Sequence, residues 1–419
     1  MKPLPGFRDF LPNDYARRDY ITSRWRDIAR RFGFVEFDGP MLESAELYER
    51  KNSGGEILTQ LYQFSDRGDR PVALRPEMTP TLARMVGMHH RTFSKPLRWF
   101  SIGNCFRYER QQRGRLREFL QFNCDLLGER SPAADAEVIT LLIHLLKSFG
   151  FGPKDFVIRL SDRLVWQHFL EQHGIPSDKM TELLAIIDKI EREPEERTKE
   201  KLAACSSVLS LRMIREFISN PEDSALAPLL SELSSRGVRE YVQPDLSIVR
   251  GLAYYTGIVF EAFALHGGLR AIAGGGRYDN LIHHLSDGAA SLPAVGFGMG
   301  DAVLLEFLKS VPLAVSQEEK YINAQRPCQI YLVIADETYR KETVALASEL
   351  REKGWRILFS LSPERVGKQF GAAQDAGATL AIVIGAEWPV MKVKQLSTRE
   401  ETEMSRDALF QRLDSLFHA

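Results

Sequence analysis

The sequence lacks the features that mark nucleic-acid-binding tails, membrane proteins and secreted proteins. It carries almost no net charge, with 55 Lys and Arg against 56 Asp and Glu. A polyanionic partner would therefore need a local basic patch. Its apolar runs fall short of the roughly 20 residues that cross a bilayer, and its first residues lack the apolar core of a signal peptide. We therefore expect a soluble, cytoplasmic protein that makes no membrane contact.

Cysteine and histidine are sparse and form no metal-binding pattern. Four cysteines are scattered along the chain without a C-x-x-C pair: Cys105, Cys124, Cys205 and Cys328. The two His-His pairs, at 89–90 and 283–284, are sequence neighbours rather than the i, i+4 partners that share a helix face. A zinc site or a disulfide framework is therefore not predicted, and no residue is assigned to a metal.

Length and patterning predict more than one domain. A chain of 419 residues exceeds the roughly 250–300 residues at which single cores stop growing. Short strand-like runs between residues 34 and 160, and again from Ser247–Val249 to 308, favour an antiparallel sheet flanked by helices, an α+β architecture. Charged, Leu-rich stretches at about 164–240 predict a helical insertion. These elements would form a first domain over residues 1–315.

The remaining sequence predicts a second domain. Residues 316–327 are polar and are expected to form a linker. From Gln329 to Ile384 strand-like and helix-like patterns alternate. This alternation predicts a separate parallel α/β domain over residues 328–419.

An arginine-dense stretch, residues 107–117, holds five arginines and one acid. Arginine suits phosphate and carboxylate oxygens because its N–H donors lie in one plane. Gly114 favours a turn, so we expect a strand, a basic loop and a returning strand at Phe119–Leu127. Charge alone leaves two interpretations open, a ligand-binding loop and a solvated hairpin tip.

The flanking residues resemble a known family. Arg107-Tyr-Glu109, the arginine loop and Phe119 resemble motif 2 of class II aminoacyl-tRNA synthetases, and an amphipathic helix at Asp14–Phe32 with a strand ending at Pro40 resembles motif 1. Four further segments are similar to those of histidyl-tRNA synthetases: Leu74-Arg-Pro-Glu-Met-Thr79, Gln121-Phe-Asn-Cys-Asp125, Val249-Arg-Gly-Leu-Ala-Tyr-Tyr-Thr256 and Gly274-Gly-Gly-Arg-Tyr-Asp279. Residues 328–419 resemble the anticodon-binding domain of that family.

The resemblance implies that L-histidine and ATP form histidyl-adenylate and pyrophosphate before the histidyl group moves to tRNA(His), with Mg²⁺ accompanying ATP. It implies a catalytic role at the α-phosphate for Arg107 and Arg250. The implied ATP-binding residues are Arg107, Glu109, Arg115 and Phe119. The implied histidine-binding residues are Glu77, Thr79, Gln121, Asp125, Arg250, Tyr254, Tyr255 and Gly275.

Within this set the resemblance gives individual roles. Asp125 and Tyr255 would read the two imidazole nitrogens, whereas Glu77, Thr79 and Gln121 would hold the α-amino group. Tyr254 and Tyr255 are adjacent, so a regular strand would direct only one of them into a pocket. The run Gly296-Phe-Gly-Met-Gly300 is a weak dinucleotide-loop signal, because no βαβ unit with a downstream acid surrounds it.

The sequence departs from the family pattern at two positions. The family usually has an arginine for the outer phosphates of ATP where this chain has Val303, and an acid where it has Ala253. At both positions the sequence is similar to an organellar-type and bacterial branch of the histidyl-tRNA synthetases. Arg113, Arg115 and Arg277 are the candidate replacements for the missing cation.

Other functions remain open at this point. The regulatory subunit of ATP phosphoribosyltransferase is a non-catalytic, histidine-sensing relative with a similar catalytic-domain fold, and Val303 suits it. A general RNA-binding module is a third possibility. The retained Arg107, Glu109 and Phe119 favour the enzyme. Its motif 1 helix and strand imply a homodimer, although an intradomain helix has the same apolar pattern.

Overall fold

A computed structural model describes residues 1–50, 56–109, 114–176, 179–190, 193–219, 223–249 and 254–417. The chain divides into two compact units, residues 1–318 and 319–419. In the described part of the chain, none of the helices has the length and hydropathy of a membrane span.

The first unit is a mixture of strands and helices. Its strands are β1 (Val35–Glu36), β2 (Leu42–Ser44), β3 (Tyr62–Ser65), β4 (Pro71–Leu74), β5 (Leu97–Phe106), β6 (Glu118–Leu127), β7 (Phe156–Asp162), β8 (Val242–Pro244), β9 (Ile258–Ala264), β10 (Ala273–Arg277) and β11 (Ala294–Gly300). Its helices are α1 (Pro12–Arg31), α2 (Glu46–Glu49), α3 (Thr79–His89), α4 (Pro132–Ser148), α5 (Arg163–Gln172), α6 (Met180–Ile187), α7 (Glu195–Cys205), α8 (Leu211–Ser219), α9 (Asp223–Ser235), α10 (Leu281–Leu285), α11 (Asp301–Leu308) and α12 (Pro312–Ala324).

An eight-stranded sheet organises this unit, in the order β1-β5-β6-β11-β10-β9-β7-β8. Its neighbours are antiparallel except for the two outer pairs, β1 with β5 and β7 with β8, which are parallel. The α+β prediction is confirmed. The strands β2, β3 and β4, which lie between β1 and β5 in the sequence, form a separate three-stranded antiparallel sheet in the order β2-β4-β3.

Two helices cover this sheet, α4 and α1, of which α1 is the amphipathic helix predicted at Asp14–Phe32. The helix α4 is buried along most of its length, as a helix that is apolar on nearly every side should be. The helix α1 contacts α4 and buries Trp25, which stacks on Phe122 of β6. Gly33 follows α1 with φ of 75°, a conformation that ends helices and suits glycine. The predicted amphipathic helix is therefore present as α1, with each boundary within two residues of the prediction.

The predicted insertion is helical, as α5 to α9 show. It has its own apolar core, which includes Trp166, Leu183 and Ile214. The prediction of a strand at Ser247–Val249 is wrong. Asp245 accepts hydrogen bonds from the backbone N–H and the hydroxyl of Ser247, and these bonds form a turn there. The nearby strand is β8 instead.

The second unit is an α/β domain with strands β12 (Ile330–Ile334), β13 (Ile357–Phe359), β14 (Leu380–Ile384), β15 (Met391–Gln395) and β16 (Glu401–Met404). Its helices are α13 (Arg340–Glu352), α14 (Val366–Asp375) and α15 (Arg406–Phe417). The strand order is β13-β12-β14-β15-β16. The first three strands are parallel and the last two antiparallel, so the sheet is mixed and the expectation of a purely parallel one is wrong. Most of the predicted linker is helical, within α12.

Candidate active site

A cavity of about 670 Å³ opens on the large sheet, a volume typical of small-molecule sites. Ten of the twelve predicted site residues line it: Glu77, Thr79, Arg107, Glu109, Arg115, Phe119, Gln121, Asp125, Tyr254 and Tyr255. Its floor is formed mainly by β6, β10 and β11. Side chains alternate across a strand, so positions 119, 121, 123 and 125 of β6 all face this cavity, and all four line it.

One end of the cavity carries the arginine stretch. The backbone N–H of Arg107 bonds the carbonyl of Arg117 at 2.9 Å, which closes the predicted hairpin. The Arg107 side chain is held by its Nε–H, which donates to the Pro76 carbonyl at 2.9 Å. Its guanidinium lies 5.3 Å from the ring centre of Phe119. These contacts fix a cation beside an aromatic face, an arrangement suited to a phosphorylated aromatic ligand.

An ion pair occupies the same end. Arg115 Nε lies 2.8 Å from Glu109 Oε2, and the Arg115 side chain is 39 % exposed. Val303, at the start of α11, also lines the cavity. A Cβ added to Gly114 would lie 3.1 Å from Val303 Cγ2, so the loop contacts α11 at the position where the family usually carries its arginine.

The other end is a buried polar cluster around Asp125, which is 1 % exposed. The Tyr278 hydroxyl donates to Asp125 Oδ1 at 2.6 Å, while Oδ2 has no hydrogen-bond partner among the described residues. Burial raises the pKa of Asp125 to about 7; the Tyr278 hydrogen bond opposes this rise and the negative charge of Glu77 adds to it. A carboxylate with one oxygen available suits an N–H donor from a ligand.

Two adjacent tyrosines complete this end. Tyr254 and Tyr255 both line the cavity, because they precede β9 in irregular backbone and are not bound by strand alternation. The Tyr254 hydroxyl donates to Glu77 Oε2 at 3.0 Å. Glu77 and Thr79 stand at the start of α3, which brings them beside the sheet.

Glycines of β11 make room for the side chains of β6. A Cβ on Gly296 would lie 1.9 Å from Asp125 Oδ1, and one on Gly298 would lie 2.5 Å from Gln121 Nε2. Close approach therefore requires glycine at 296, where a Cβ would also lie 2.9 Å from the Cys124 carbonyl oxygen; at 298 the contact is with the end of the flexible Gln121 side chain. This role depends on a cross-strand register that the glycine spacing alone does not reveal.

Not every predicted residue reaches the cavity. Gly275 does not line it, whereas Gly274 does. Arg277 is also directed elsewhere: it is buried and pairs with Asp135 at 2.9 Å and with Asp279 at 3.2 Å. The suggestion that Arg277 replaces the missing cation is therefore corrected. Arg250, with Arg113 and Ala253, lies outside the described residues.

Residues without a predicted role also line the cavity, among them Tyr278 and Asn123. Tyr278 belongs to the quoted segment Gly274–Asp279, so its motif was a usable signal. Asn123 lies between Gln121 and Asp125 on β6, and the period of two along that strand was the signal for it.

The antiparallel sheet and the placing of Arg107, Glu109 and Phe119 around one pocket agree with the class II aminoacyl-tRNA synthetases, the class whose motifs the sequence resembles. The sequence model described as histidyl-tRNA synthetase matches residues 6–302, and that described as anticodon binding domain matches residues 329–416. The chain belongs to the histidyl-tRNA synthetase family.

Individual relatives span both units. The chain is 42 % identical to a histidine–tRNA ligase of Opitutus terrae, with 96 % of each chain covered. It is 38 % identical to a chloroplastic/mitochondrial histidine–tRNA ligase of Arabidopsis thaliana, covering 96 % of this chain and 85 % of that one. The crystal structure of histidyl-tRNA synthetase from Nostoc sp. PCC 7120 superposes with a TM-score of 0.79 over 99 % of each chain at 22 % identity, a likeness of fold.

Proposed function

We propose that the cavity is the site where this histidine–tRNA ligase activates L-histidine with ATP and then transfers the histidyl group to tRNA(His). The observation that carries the assignment is the row of β6 side chains. Phe119, Gln121 and Asp125 face one cavity, with Arg107 at one end and Tyr278 at the other. This row matches a ligand with an aromatic base at one end and an imidazole at the other.

In the proposed reaction a carboxylate oxygen of histidine attacks the α-phosphorus of ATP. The new bond is the P–O bond of histidyl-adenylate, and the bond that breaks releases pyrophosphate with its electron pair. Charge grows on the α-phosphate oxygens during this step. Arg107 is positioned to stabilise that charge, and Arg250 is proposed to act from the opposite side. One preorganised donor of this kind is commonly worth ~10²–10³ in rate.

ATP would occupy the arginine end of the cavity. Phe119 stacks on the adenine, Glu109 accepts a hydrogen bond from it, and Arg115 meets the outer phosphates after leaving its ion pair with Glu109. With valine at position 303, Arg115 is the remaining lining arginine of the loop that the structure describes. The outer phosphates would therefore meet a partly exposed cation in Arg115, and Arg270 also lines the cavity.

Histidine would occupy the buried end. Asp125 accepts a hydrogen bond from one imidazole nitrogen, and the Tyr255 hydroxyl meets the other. Glu77 and Thr79 bind the α-ammonium group, and Tyr254 orients Glu77. A site that pairs buried polar groups with its substrate can reject analogues that lack them by ~10⁴–10⁵, because those groups are left unpaired. Selection of histidine then needs no editing domain.

Mg²⁺ is proposed to arrive with ATP. Among the described residues no group of three or more His, Cys, Asp or Glu side chains is placed to hold a metal ion. Mg²⁺ usually keeps several waters and takes phosphate oxygens as ligands, so a dedicated protein cage is not required. The ion would neutralise charge on the phosphates, while the chain's own residues position the substrates.

A homodimer is proposed from an exposed apolar face. Val35 on β1 and Leu42 and Phe64 on the three-stranded sheet are exposed. Leu42 pairs with Leu74 and Phe64 with Val72, positions two apart on β4, so Leu42 and Phe64 share one face. Sedimentation equilibrium should give twice the mass of the 47.6 kDa chain. A Leu42→Asp, Phe64→Asp double variant should lower the association.

The cytoplasmic location stays a prediction. The second unit is proposed to bind the anticodon arm of tRNA(His), consistent with its family match. The regulatory-subunit alternative is not favoured, because the two relatives reported above, at 42 % and 38 % identity, cover both units and are named histidine–tRNA ligases.

Charging of tRNA(His) tests this proposal. Purified protein should attach labelled histidine to a tRNA(His) transcript in the presence of ATP and Mg²⁺, and a tRNA for another amino acid is the control. Binding of histidine without charging of any tRNA would favour the non-catalytic alternative.

A further inference from the structure

Residues 6–8 form a short strap that lies against the arginine end of the cavity without lining it. The backbone carbonyl of Gly6 accepts the N–H groups of Arg117 and Glu118, at 3.0 and 3.1 Å, where the arginine stretch enters β6. The strap is therefore bound to the base of the hairpin that carries Arg107.

The last residue of the strap, Arg8, pairs with a buried carboxylate. Arg8 Nη2 lies 2.7 Å from Oδ2 of Asp301, the first residue of α11; the Asp301 side chain is fully buried, whereas that of Arg8 is 26 % exposed. Burial raises the pKa of Asp301, and the positive charge of Arg8 opposes this rise. The Arg8 guanidinium also lies 4.9 Å from the ring centre of Phe10, which helps to fix its direction. The strap is thereby joined to α11.

The same carboxylate also binds β6. Asp301 Oδ1 accepts the backbone N–H of Leu120 at 3.1 Å. The ladder between β6 and β11 ends at the pair of Gln121 with Gly300, so Leu120 lies one residue beyond the last pair. Its N–H still needs an acceptor, and the side chain of Asp301 takes the place of the missing backbone carbonyl. Asp301 therefore holds the start of α11 against β6.

This junction lies behind one wall of the cavity. Phe119 precedes Leu120 on β6, and Val303 follows Asp301 in the first turn of α11; Phe119 and Val303 both line the cavity, whereas Arg8 and Asp301 do not. With valine at position 303, this side chain offers ATP an apolar contact rather than a charge. Apolar contacts are sensitive to distance, since a gap of about 0.5–1 Å forfeits a quarter to a half of their energy. The spacing between β6 and α11 therefore matters for binding at this end.

We propose that Arg8 is a positioning residue for ATP, whose ion pair with Asp301 keeps the first turn of α11 at a fixed distance from Phe119. This inference rests on the proposed function, because it takes ATP as the ligand of the arginine end. Arg8 itself touches neither substrate. Its loss should weaken the binding of ATP and leave histidine unaffected, since the side chains around Asp125 are held by hydrogen bonds of their own.

Steady-state pyrophosphate exchange with full-length Arg8→Met measures the Michaelis constants for ATP and histidine separately. Methionine keeps part of the aliphatic stem but no charge, so the buried Asp301 carboxylate loses its partner. The KM for ATP should rise about tenfold, while the KM for histidine stays within about twofold of its original value. Arg8→Lys should restore most of the affinity for ATP, because one N–H donor makes the contact with Oδ2 and an ammonium group can replace it.

Arg84→Met is the matched control. Arg84 Nη2 lies 2.7 Å from Glu43 Oε1, their side chains are 30 % and 9 % exposed, and neither residue lines the cavity. Thermal unfolding measures the stability that each variant loses, and the KM for ATP should rise only in Arg8→Met. If Arg8→Met does not fold, Asp301→Asn removes the charge of the pair without leaving a buried carboxylate unpaired, and it should also raise the KM for ATP.

The outcomes are distinguishable. Equal rises in the two Michaelis constants, an unchanged KM for ATP in a folded variant, or an equal rise in Arg84→Met would overturn the role of Arg8 and leave the proposed function standing. Absence of histidine-dependent exchange in the unaltered protein would overturn the proposed function, and this inference with it.

Discussion

The two ends of the cavity are built differently. At the end proposed for histidine, buried side chains are fixed by hydrogen bonds, as in the pairs Tyr278–Asp125 and Tyr254–Glu77. At the end proposed for ATP, Arg115 is partly exposed and paired with Glu109. Burial strengthens discrimination because unmatched polar groups are costly there. An exposed cation provides attraction that any triphosphate would share and that salt weakens. Selection of the amino acid should therefore depend on the buried end around Asp125. Stabilisation of the phosphate charge should depend on the arginine end.

The largest expected effect is at Arg107, at the arginine end of the cavity. Arg107→Ala should lower the rate of adenylate formation ~10²–10³-fold, because a preorganised donor at the α-phosphate is lost, while histidine affinity changes much less. Arg250 lies outside the described residues, and Arg250→Ala should lower the same rate at least ~10²-fold. The Lys variants should rescue little, since a point charge does not reproduce the planar fork. Stopped-flow measurement of the first turnover avoids masking by product release; a near-normal burst would remove the residue from the catalytic set.

The histidine end is tested by Asp125→Asn. The change keeps the shape but removes the anionic acceptor, so the KM for histidine should rise by ~10–10²-fold with a smaller effect on the KM for ATP. Steady-state pyrophosphate exchange measures both. Equal changes in the two constants would contradict the division between the ends.

The same variant has a pH signature in stability. The folded-state pKa of Asp125, about 7, exceeds its ordinary value of 3.8, so the folded protein holds this proton more tightly than the unfolded chain. The contribution of Asp125 to the free energy of unfolding is therefore largest below pH 4 and is lost as the pH rises from about 4 through 7. Asp125→Asn should be more stable than the unaltered protein at pH 8, and the difference should shrink at pH 5. Urea unfolding at the two pH values measures it; a difference independent of pH would contradict the burial argument.

Removal of the second unit should leave both ends intact. All described cavity residues lie between 57 and 303, so a chain of residues 1–318 that folds should still form adenylate. It should charge tRNA(His) at least about tenfold less efficiently, because anticodon affinity is lost. Aminoacylation at limiting tRNA measures this. Equal charging by the short and full chains would assign the second unit another role.

The smallest effect is expected at the exposed cation. Arg115→Gln should raise the KM for ATP by roughly five- to tenfold at low salt and by less at high salt, because an exposed charge is screened. Arg98→Gln is the matched control: its side chain is 35 % exposed and paired with Glu137, and it does not line the cavity. An increase in the KM for ATP that does not depend on salt would show that the contact between Arg115 and ATP is as buried as the contacts around Asp125.

The elements that sequence alone predicted well are those with a strong local pattern. The helix α1 has apolar residues at helical spacing, and the arginine stretch has a glycine where the hairpin turns. The strand β15 was missed although it alternates charged residues with the buried Met391 and Val393, the ordinary pattern of a half-buried strand. The strand β16 has a weaker pattern, because it is short and mostly polar, and it is paired through Lys392 opposite Glu403 and Lys394 opposite Glu401.

The site shows the same limit. Motif positions placed ten residues in one cavity, because each motif is local. The burial of Arg277 against Asp135 depends on an ion pair between residues 142 positions apart. The room that Gly296 gives to Asp125 depends on strand register. Neither could be obtained from spacing along the chain.

The most direct measurement of the central claim is amino-acid-dependent pyrophosphate exchange into ATP by the purified full-length protein. The account predicts exchange with L-histidine and Mg²⁺, and none with each of the other standard amino acids, because the buried end pairs with an imidazole. Exchange with another amino acid at a comparable rate, or no exchange at all despite histidine binding, would contradict it.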